Sequence, residues 1–305
     1  MKKVSILIPV YNREKIINKT IQSALSQTYQ NIEIIIVDNK SNDSTFEICK
    51  NYEKIDNRIK VYQNNKNIGP VENWKKCLEY STGYYVKFLW SDDWLDDNFI
   101  EEHVNILENN ENVGFTFSPA YIVQNDKKKI SYDLFEKNVI FDSKDFIKYY
   151  FSKGKIPVSP GCALFRRKDV EKNLLVDIPN EDNLEFNRFG AGNDFLIFLL
   201  TTLTYDKIAF VNSTKAYFRY HEDSFSVSNN LSLYYDYAIY YFLQKLNDKT
   251  CYNFFKTMIF LKKVKHKEYN NLYSKINGKV SLSFLTKKIN KKIISKIRGV
   301  FRWKN

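Results

Sequence analysis

The sequence predicts an α/β fold: a mostly parallel sheet with flanking helices, followed by a C-terminal helical extension. Three observations carry this. Short segments that are apolar almost throughout, Val4–Val10 and Ile32–Val37 first, alternate with longer ones whose apolar residues recur at helical spacing. Such strands suit a sheet covered on both faces, and strand–helix–strand alternation builds parallel pairs through right-handed crossovers. The early strands also end abruptly in polar residues, as strands do where they feed the ligand crevice of an open α/β sheet.

The elements follow in order. Val4-Ser5-Ile6-Leu7-Ile8-Pro9-Val10 is a buried strand that ends at Pro9. Ile16, Ile17, Ile21, Ala24 and Leu25 form one apolar helix stripe. A second buried strand, Ile32–Val37, ends on Asp38, and the capping residues of Ser41–Thr45 start a helix that runs to about Tyr52. Arg58–Tyr62 is a third strand, and a helix from about Pro70 to Tyr80 leads to the strand Tyr84–Leu89. A helix from Asn98 to about Leu107 and a strand Val113–Phe117 continue the alternation, and residues 119–142 suit a hairpin with a lysine-rich turn over Asp126–Lys129. Asn193–Leu203 is helical, Lys207–Tyr220 gives one or two short strands, and from Leu231 the pattern is helical to the end. Two domains are expected, 1–228 and a basic helical extension 229–305.

Composition narrows the function classes. A 44% hydrophobic, 16% aromatic chain of 305 residues has ample core, and 9 Gly with 6 Pro argue for order. The net charge of +12 first points to a polyanion, but residues 262–304 hold twelve lysines and two arginines against Glu268 alone. The rest of the chain is near neutral, so the charge marks a tail and not a nucleic-acid-binding body. Cys49, Cys77, Cys162 and Cys251 have no paired spacing, which disfavours a zinc site or a disulfide framework and suits reduced thiols in the cytoplasm. The first apolar run is too short for a signal peptide, and no stretch approaches the roughly 20 apolar residues of a membrane span.

The chemistry gathers at strand ends. Trp90-Ser91-Asp92-Asp93-Trp94 follows the fourth strand. Adjacent carboxylates repel unless a cation joins them, and Mg²⁺ or Mn²⁺ is the divalent ion that suits oxygen ligands; the same residues also suit a solvated turn that caps a helix. Pro9-Val10-Tyr11-Asn12 and Asp38 lie at the same edge: Tyr11 can stack on a base or ribose, and Asp38 can accept hydrogen bonds from base or ribose. Ser41, Asp43 and Ser44 suit helix-cap chemistry. No Gly-x-Gly-x-x-Gly and no Walker-type loop occurs, which sets aside dinucleotide and P-loop sites.

The chain resembles the family 2 glycosyltransferases of GT-A fold over roughly residues 3–226. The matching residues are Ser5–Asn12, Ser26-Gln27-Thr28-Tyr29, Glu33–Asp38 with Ser41–Thr45, Asn67-Ile68-Gly69, Thr82–Tyr85 and Ser91-Asp92-Asp93. The resemblance implies an inverting, non-processive sugar transfer from a nucleotide-diphosphate-sugar to a glycan or lipid-linked acceptor in surface-polysaccharide synthesis. It implies Pro9, Tyr11, Asn12, Asp38, Asn67, Asp92 and His221 as donor-binding, with Asp92 and Asp93 holding a divalent metal. Asn39 and Trp90 stand where the family often has Asp. Asp194, after Gly190-Ala191-Gly192-Asn193, matches the family's base, with Asp182 beside Glu181 as competitor. Pro160–Arg167 matches a segment before the acceptor site, where Arg166 could meet phosphate or equally stand exposed at a helix start, and Tyr220–Ser226 resembles a loop that closes over the diphosphate. No Gln-x-x-Arg-Trp occurs, which disfavours a processive synthase.

In the tail, Leu285, Ile289, Ile293, Ile297 and Phe301 recur every four residues among lysines and arginines, an amphipathic basic helix suited to an anionic membrane surface at the inner face of the cell membrane. Three rivals differ in class. A sugar-nucleotide-binding scaffold is what Asn39 and Trp90 allow. A nucleotidyltransferase would need a Gly-rich basic loop after the first strand. A nucleic-acid binder is disfavoured by the neutral body.

Overall fold

The first two apolar runs form strands in which all seven residues are buried, β1 (Val4–Val10) and β2 (Ile32–Asp38). This is a computed structural model, and it describes residues 1–125, 127–153, 156–220 and 230–276. With β3 (Ile59–Gln63), β4 (Tyr85–Phe88), β6 (Val113–Phe117), β9 (Val139–Asp142), β10 (Ala163–Arg166) and β11 (Lys207–Phe210), they make an eight-stranded sheet of order β3-β2-β1-β4-β10-β6-β11-β9. The β3-β2-β1-β4 half is parallel, as the alternation predicts; β10 and β9 run against their neighbours.

Helices α1 (Ile17–Leu25), α2 (Thr45–Ile55), α3 (Pro70–Tyr80), α4 (Phe99–Asn109), α5 (Ser143–Lys153), α6 (Arg167–Asn173), α7 (Phe186–Phe189) and α8 (Asn193–Thr201) connect or cover these strands. Helix α1 buries Ile17, Thr20, Ile21 and Ala24, one face of a 3.6-residue period. Behind it, the buried Gln27 donates to the carbonyls of Ser23 and Asp96 and accepts from the Ile100 N–H, so one amide ties α1 to the segment entering α4. The other end of the parallel strands is joined similarly: Ser5 Oγ donates to Glu33 at 2.5 Å, and the Gly83 N–H donates to Ser5 Oγ at 2.8 Å. A Cβ on Gly83 would stand 2.5 Å from that oxygen, so the start of β4 needs glycine.

The hairpin expected within residues 119–142 forms as β7 (Ala120–Gln124) and β8 (Lys127–Ser131), but the sequence pattern misses the second sheet it belongs to, of order β5-β12-β7-β8 with β5 (Trp94–Leu95) and β12 (Ala216–Arg219). Two-residue β5 is too short to show a period. The lysine-rich turn is also corrected: Gln124 pairs with Lys127, so the lysines open β8. Asn125, at φ 46°, supplies the left-handed turn residue, and β8 is an edge strand, where exposed lysines discourage further pairing.

By contacts the chain divides into two compact units, Met1–Ile178 with Glu185–Phe242, and Pro179–Leu184 with the chain from Leu243 onward. Helix α9 (Ser232–Leu246) begins in the first. The second holds α10 (Lys249–Lys263), capped by Asp248 through the Thr250 and Cys251 N–H groups, and α11 (Asn270–Lys275). Among the described residues no helix is long and apolar enough to cross a membrane. The amphipathic run 285–303 and His221 lie outside the described residues.

Candidate active site

The parallel register of β1 and β2 sets Val10 opposite Asp38, so the polar residues after both strands share one edge. Asp38 is fully buried; its carboxylate accepts the Ser41 hydroxyl, the Ser41 N–H at 3.0 Å and Gln63 Nε2 at 2.9 Å. Asn12 turns the chain at φ 52°, giving its N–H to Ser41 Oγ and taking the Asn42 N–H on Oδ1. Tyr11 stays 36% exposed beside Asn42, its ring open to a planar ligand. Pro9 is buried within β1 opposite Val37. Asn67 acts on the neighbouring loop: Oδ1 accepts Asn39 Nδ2 and the Gly69 N–H, while Asn39 Oδ1 accepts the Ile68 N–H. Asn39 thus bonds as an amide in ways a carboxylate, lacking donors, could not.

Strand β4 ends one step across β1, and the turn after it separates the two carboxylates. Asp93 is 6% exposed; Oδ1 accepts the Arg219 N–H at 2.9 Å, and its carbonyl accepts Thr20 Oγ1 at 2.8 Å. Burial, reinforced by the charge of Asp92, pushes the Asp93 carboxyl well above the usual range, against the Arg219 N–H and the charges of Lys87 and Arg219. Asp92 keeps part of its surface open. Arg219 donates Nε to the Asp92 carbonyl at 3.2 Å and lies over Trp94, so β12 clamps this turn. Beneath it Lys87 is fully buried, donates to the Gly161 carbonyl and lies 4.6 Å from the Phe99 ring centre. Burial drives its ammonium down to about 7.

Asp194 opens α8. Its Oδ1 accepts the Gly192 N–H at 2.9 Å and the Phe195 N–H at 2.7 Å; Oδ2 accepts Tyr235 Oη at 3.0 Å. Burial raises its carboxyl to about 7, against these three hydrogen bonds. Part of the residue remains accessible. Two indoles connect this turn to the Asp92 turn. Trp74 occupies the space where a Cβ on Gly190 would stand, 2.3 Å from Cη2, and Trp74 packs on Trp90 at 4.8 Å. Trp90 Nε1 donates to Ser159 Oγ at 2.8 Å, so the indole at the family's Asp position is held by the segment before β10.

Other candidates are placed elsewhere. Asp182 and Glu181 belong to the second unit, where Asp182 accepts Asn271 Nδ2 at 2.6 Å and Glu181 pairs with Lys275. Arg166 is 5% exposed and its guanidinium donates to the carbonyls of Val113, Gly114, Leu107 and Glu111, a structural role that is neither the phosphate contact nor the exposed helix start the sequence allowed. Of the three residues expected to cap α2, Asp43 accepts the Glu14 N–H and the N–H of Thr45, the first residue of α2, whereas the N-cap Ser44 makes no side-chain cap bond and Ser41 bonds Asp38. His103 is buried against Thr116. Sequence reasoning missed Gln63, Lys87, Trp74, Arg219 and Tyr235. The lysine inside an apolar strand was the one visible signal.

A divalent ion fits Asp92 better than Asp93, whose Oδ1 takes a main-chain N–H. Among the described residues no three His, Cys, Asp or Glu side chains converge. One partly open carboxylate is nonetheless the donor set that Mg²⁺ uses when phosphate oxygens and waters complete its shell.

A parallel α/β edge bearing Asp38, an acidic turn at Asp92 and a carboxylate turn at Asp194 joined to it through two indoles suits the class of enzymes that handle nucleotide-activated substrates. Residues 5–174 match the Glycosyl transferase family 2 profile, and the chain belongs to that family. A Campylobacter jejuni GalNAc(5)-diNAcBac-PP-undecaprenol beta-1,3-glucosyltransferase is 28% identical over 90% of this chain and 86% of its own. The matched stretch covers only 14%, 44% and 49% of three other curated relatives, from Streptococcus pneumoniae, Haemophilus influenzae and Bacillus subtilis. The fold matches S. aureus TarS 1-349, solved with UDP-GlcNAc, at TM-score 0.66 and 19% identity over 94% of this chain and 79% of that one. It also matches GalNAc-T7, solved with UDP, GalNAc and Mn2+, at TM-score 0.62 and 14% identity over 97% and 58%.

Proposed function

We propose that this chain is an inverting, non-processive glycosyltransferase. It moves one sugar from a nucleotide-diphosphate-sugar to a glycan or lipid-linked acceptor in cell-surface polysaccharide assembly. The observation that carries this is the pairing of two carboxylate turns through the Trp74–Trp90 contact, one on the strand edge with Asp38 and the other opening α8. In this reading Asp38, Gln63, Tyr11 and Asn12 hold the nucleoside, and Asp92 holds Mg²⁺ or Mn²⁺. The bound ion supplies charge to stabilise the departing diphosphate. Asp194 takes the proton of the acceptor hydroxyl as its oxygen attacks the anomeric carbon and the bond to the diphosphate breaks. Asp93 and Lys87 shape the floor. His221 joins the donor site, and the basic run 285–303 seats the enzyme on the anionic inner face of the cell membrane. The Campylobacter relative supports the lipid-diphosphate acceptor, and the UDP-GlcNAc complex of TarS supports a UDP donor.

The test is thermal shift and nucleoside-diphosphate release across UDP-, GDP- and dTDP-sugars with Mg²⁺, Mn²⁺ or EDTA. Metal-dependent stabilisation by one donor, with slow release of its diphosphate, is expected. Release should fall by about 10²–10⁴-fold in Asp194→Asn, the range for a lost general base. Binding that ignores metal, with no release, would instead establish a scaffold.

A further inference from the structure

Helix α9 belongs by sequence to the C-terminal extension, yet its first turn reaches the Asp194 carboxylate. Gly192, at φ 89°, makes the approach possible. A Cβ there would stand 2.9 Å from the Tyr234 carbonyl and 3.0 Å from Ala238 Cβ, so only glycine lets α9 lie against this turn. The helix thereby delivers the Tyr235 hydroxyl to Asp194 Oδ2 at 3.0 Å. Asp194 Oδ1 is already engaged by two main-chain N–H groups. The carboxylate is held at three points, and the lone pairs left on Oδ2 are those best placed to accept a proton.

We propose that Tyr235 is a positioning residue for the reaction: its hydroxyl fixes the Asp194 carboxylate in one orientation and holds it ionised while the acceptor is deprotonated. This rests on the reading of Asp194 as the base. In the step itself, the acceptor O–H bond breaks and its proton passes to Oδ2. The acceptor oxygen bonds to the anomeric carbon, and the nucleoside diphosphate leaves with the electrons of the broken C–O bond. A hydrogen bond to the charged form of a carboxyl favours that form. It opposes the burial that raises Asp194. Among the described residues, the other groups around this pair are Tyr132, which feels Asp194 and acts on Tyr235, Tyr150 of α5, which acts on Tyr235, and Asp236 of α9, which acts on Tyr150. Of these side chains, Tyr235 is the one that hydrogen-bonds the carboxylate.

The experiment uses the full chain, Tyr235→Phe and Asp194→Asn. Phe fills the same space, and melting curves confirm that the variant folds. The first readout is the pH profile of UDP release from UDP-glucose or UDP-N-acetylglucosamine, whichever turns over faster. In Tyr235→Phe the acid limb should move up by about one pH unit, the worth of one hydrogen bond to a charged group, with roughly fivefold loss near neutrality, approaching tenfold at lower pH, that is regained above about pH 9. The second readout needs no turnover. The melting-temperature change caused by Tyr235→Phe, measured with and without Asp194→Asn, is followed against pH and reports where Asp194 titrates. An unmoved midpoint, or a loss of activity equal at all pH values, overturns the role of Tyr235. Full turnover in Asp194→Asn with a midpoint that does move overturns the base assignment instead.

Discussion

At the scale of single residues, the two adjacent aspartates do different work. Asp93 is nearly buried and takes a main-chain N–H from Arg219, a bond that an asparagine oxygen also accepts. Asp92 is the one with accessible surface. Asp92→Asn should therefore cut donor turnover by on the order of 10² or more and remove the response to Mg²⁺ or Mn²⁺, since a neutral amide is a poor ligand for a hard cation. Asp93→Asn should cost less than about tenfold and keep the metal response, because it preserves the bond and removes a charge disfavoured by burial. Metal titrations of diphosphate release on both variants decide it, and equal loss in the two would refute the division. The pH dependence of the wild type belongs here too. A base raised to about 7 must be ionised to act, so activity should climb through that pH and level off above it. A rate profile flat from pH 5 to 8 would contradict Asp194 as the base.

At the scale of elements, the site depends on turns that only glycine can make. Gly190 sits at φ 69° with Trp74 in the place of its missing side chain. Gly190→Ala should destabilise the protein by about 1–3 kcal/mol from the strained backbone alone, with more from the clash. Adding Trp74→Phe, which lacks the colliding atoms, should return the steric part and leave the backbone part; a double-mutant cycle in urea measures the split. Additive losses would mean the indole is not what the alanine strikes. These elements also show what a sequence displays. Strands β1 and β2, helix α1 and the turns bearing Asp38 and Asp92 were legible because burial on both faces and amphipathic helices leave short-range patterns. Ser5, Glu33 and Gly83 fell inside segments that match the family, but their meeting in one hydrogen-bonded knot where these strands begin was not legible. The joining of β5 and β12 to the predicted β7–β8 hairpin, Gln63 beside Asp38 and Tyr235 beside Asp194 were not legible. Each joins segments far apart in the chain, and no local period records such a meeting. Arg166 shows the reverse error: a charged residue at a strand end reads as exposed, while here four carbonyls surround it.

At the scale of the whole molecule, the buried Lys87 links the site to global stability. Its amine lies under the Asp93 turn, with Cys162 and His103 near, and it donates to the Gly161 carbonyl. Burial lowers it to about 7 from 10.5. The sign follows from proton counts. Below about pH 7 folded and unfolded chains both carry the proton, and folding bears the full cost of burying the charge. Between about 7 and 10.5 the unfolded chain holds the proton and the folded chain does not, so stability rises with pH, by up to about 1.4 kcal/mol per pH unit. Lys87→Met keeps most of the stem's volume and removes the titration, leaving the Gly161 carbonyl without that donor. The variant should gain on the wild type at pH 6 and lose that advantage by pH 9. The stability difference between the two chains, from urea unfolding at each pH, isolates this residue from the tyrosines and cysteines that also titrate in alkali. A difference that stays constant across the range would mean that Lys87 keeps its proton when folded, and the charge would then be a permanent counterweight to Asp93 beneath the candidate metal turn.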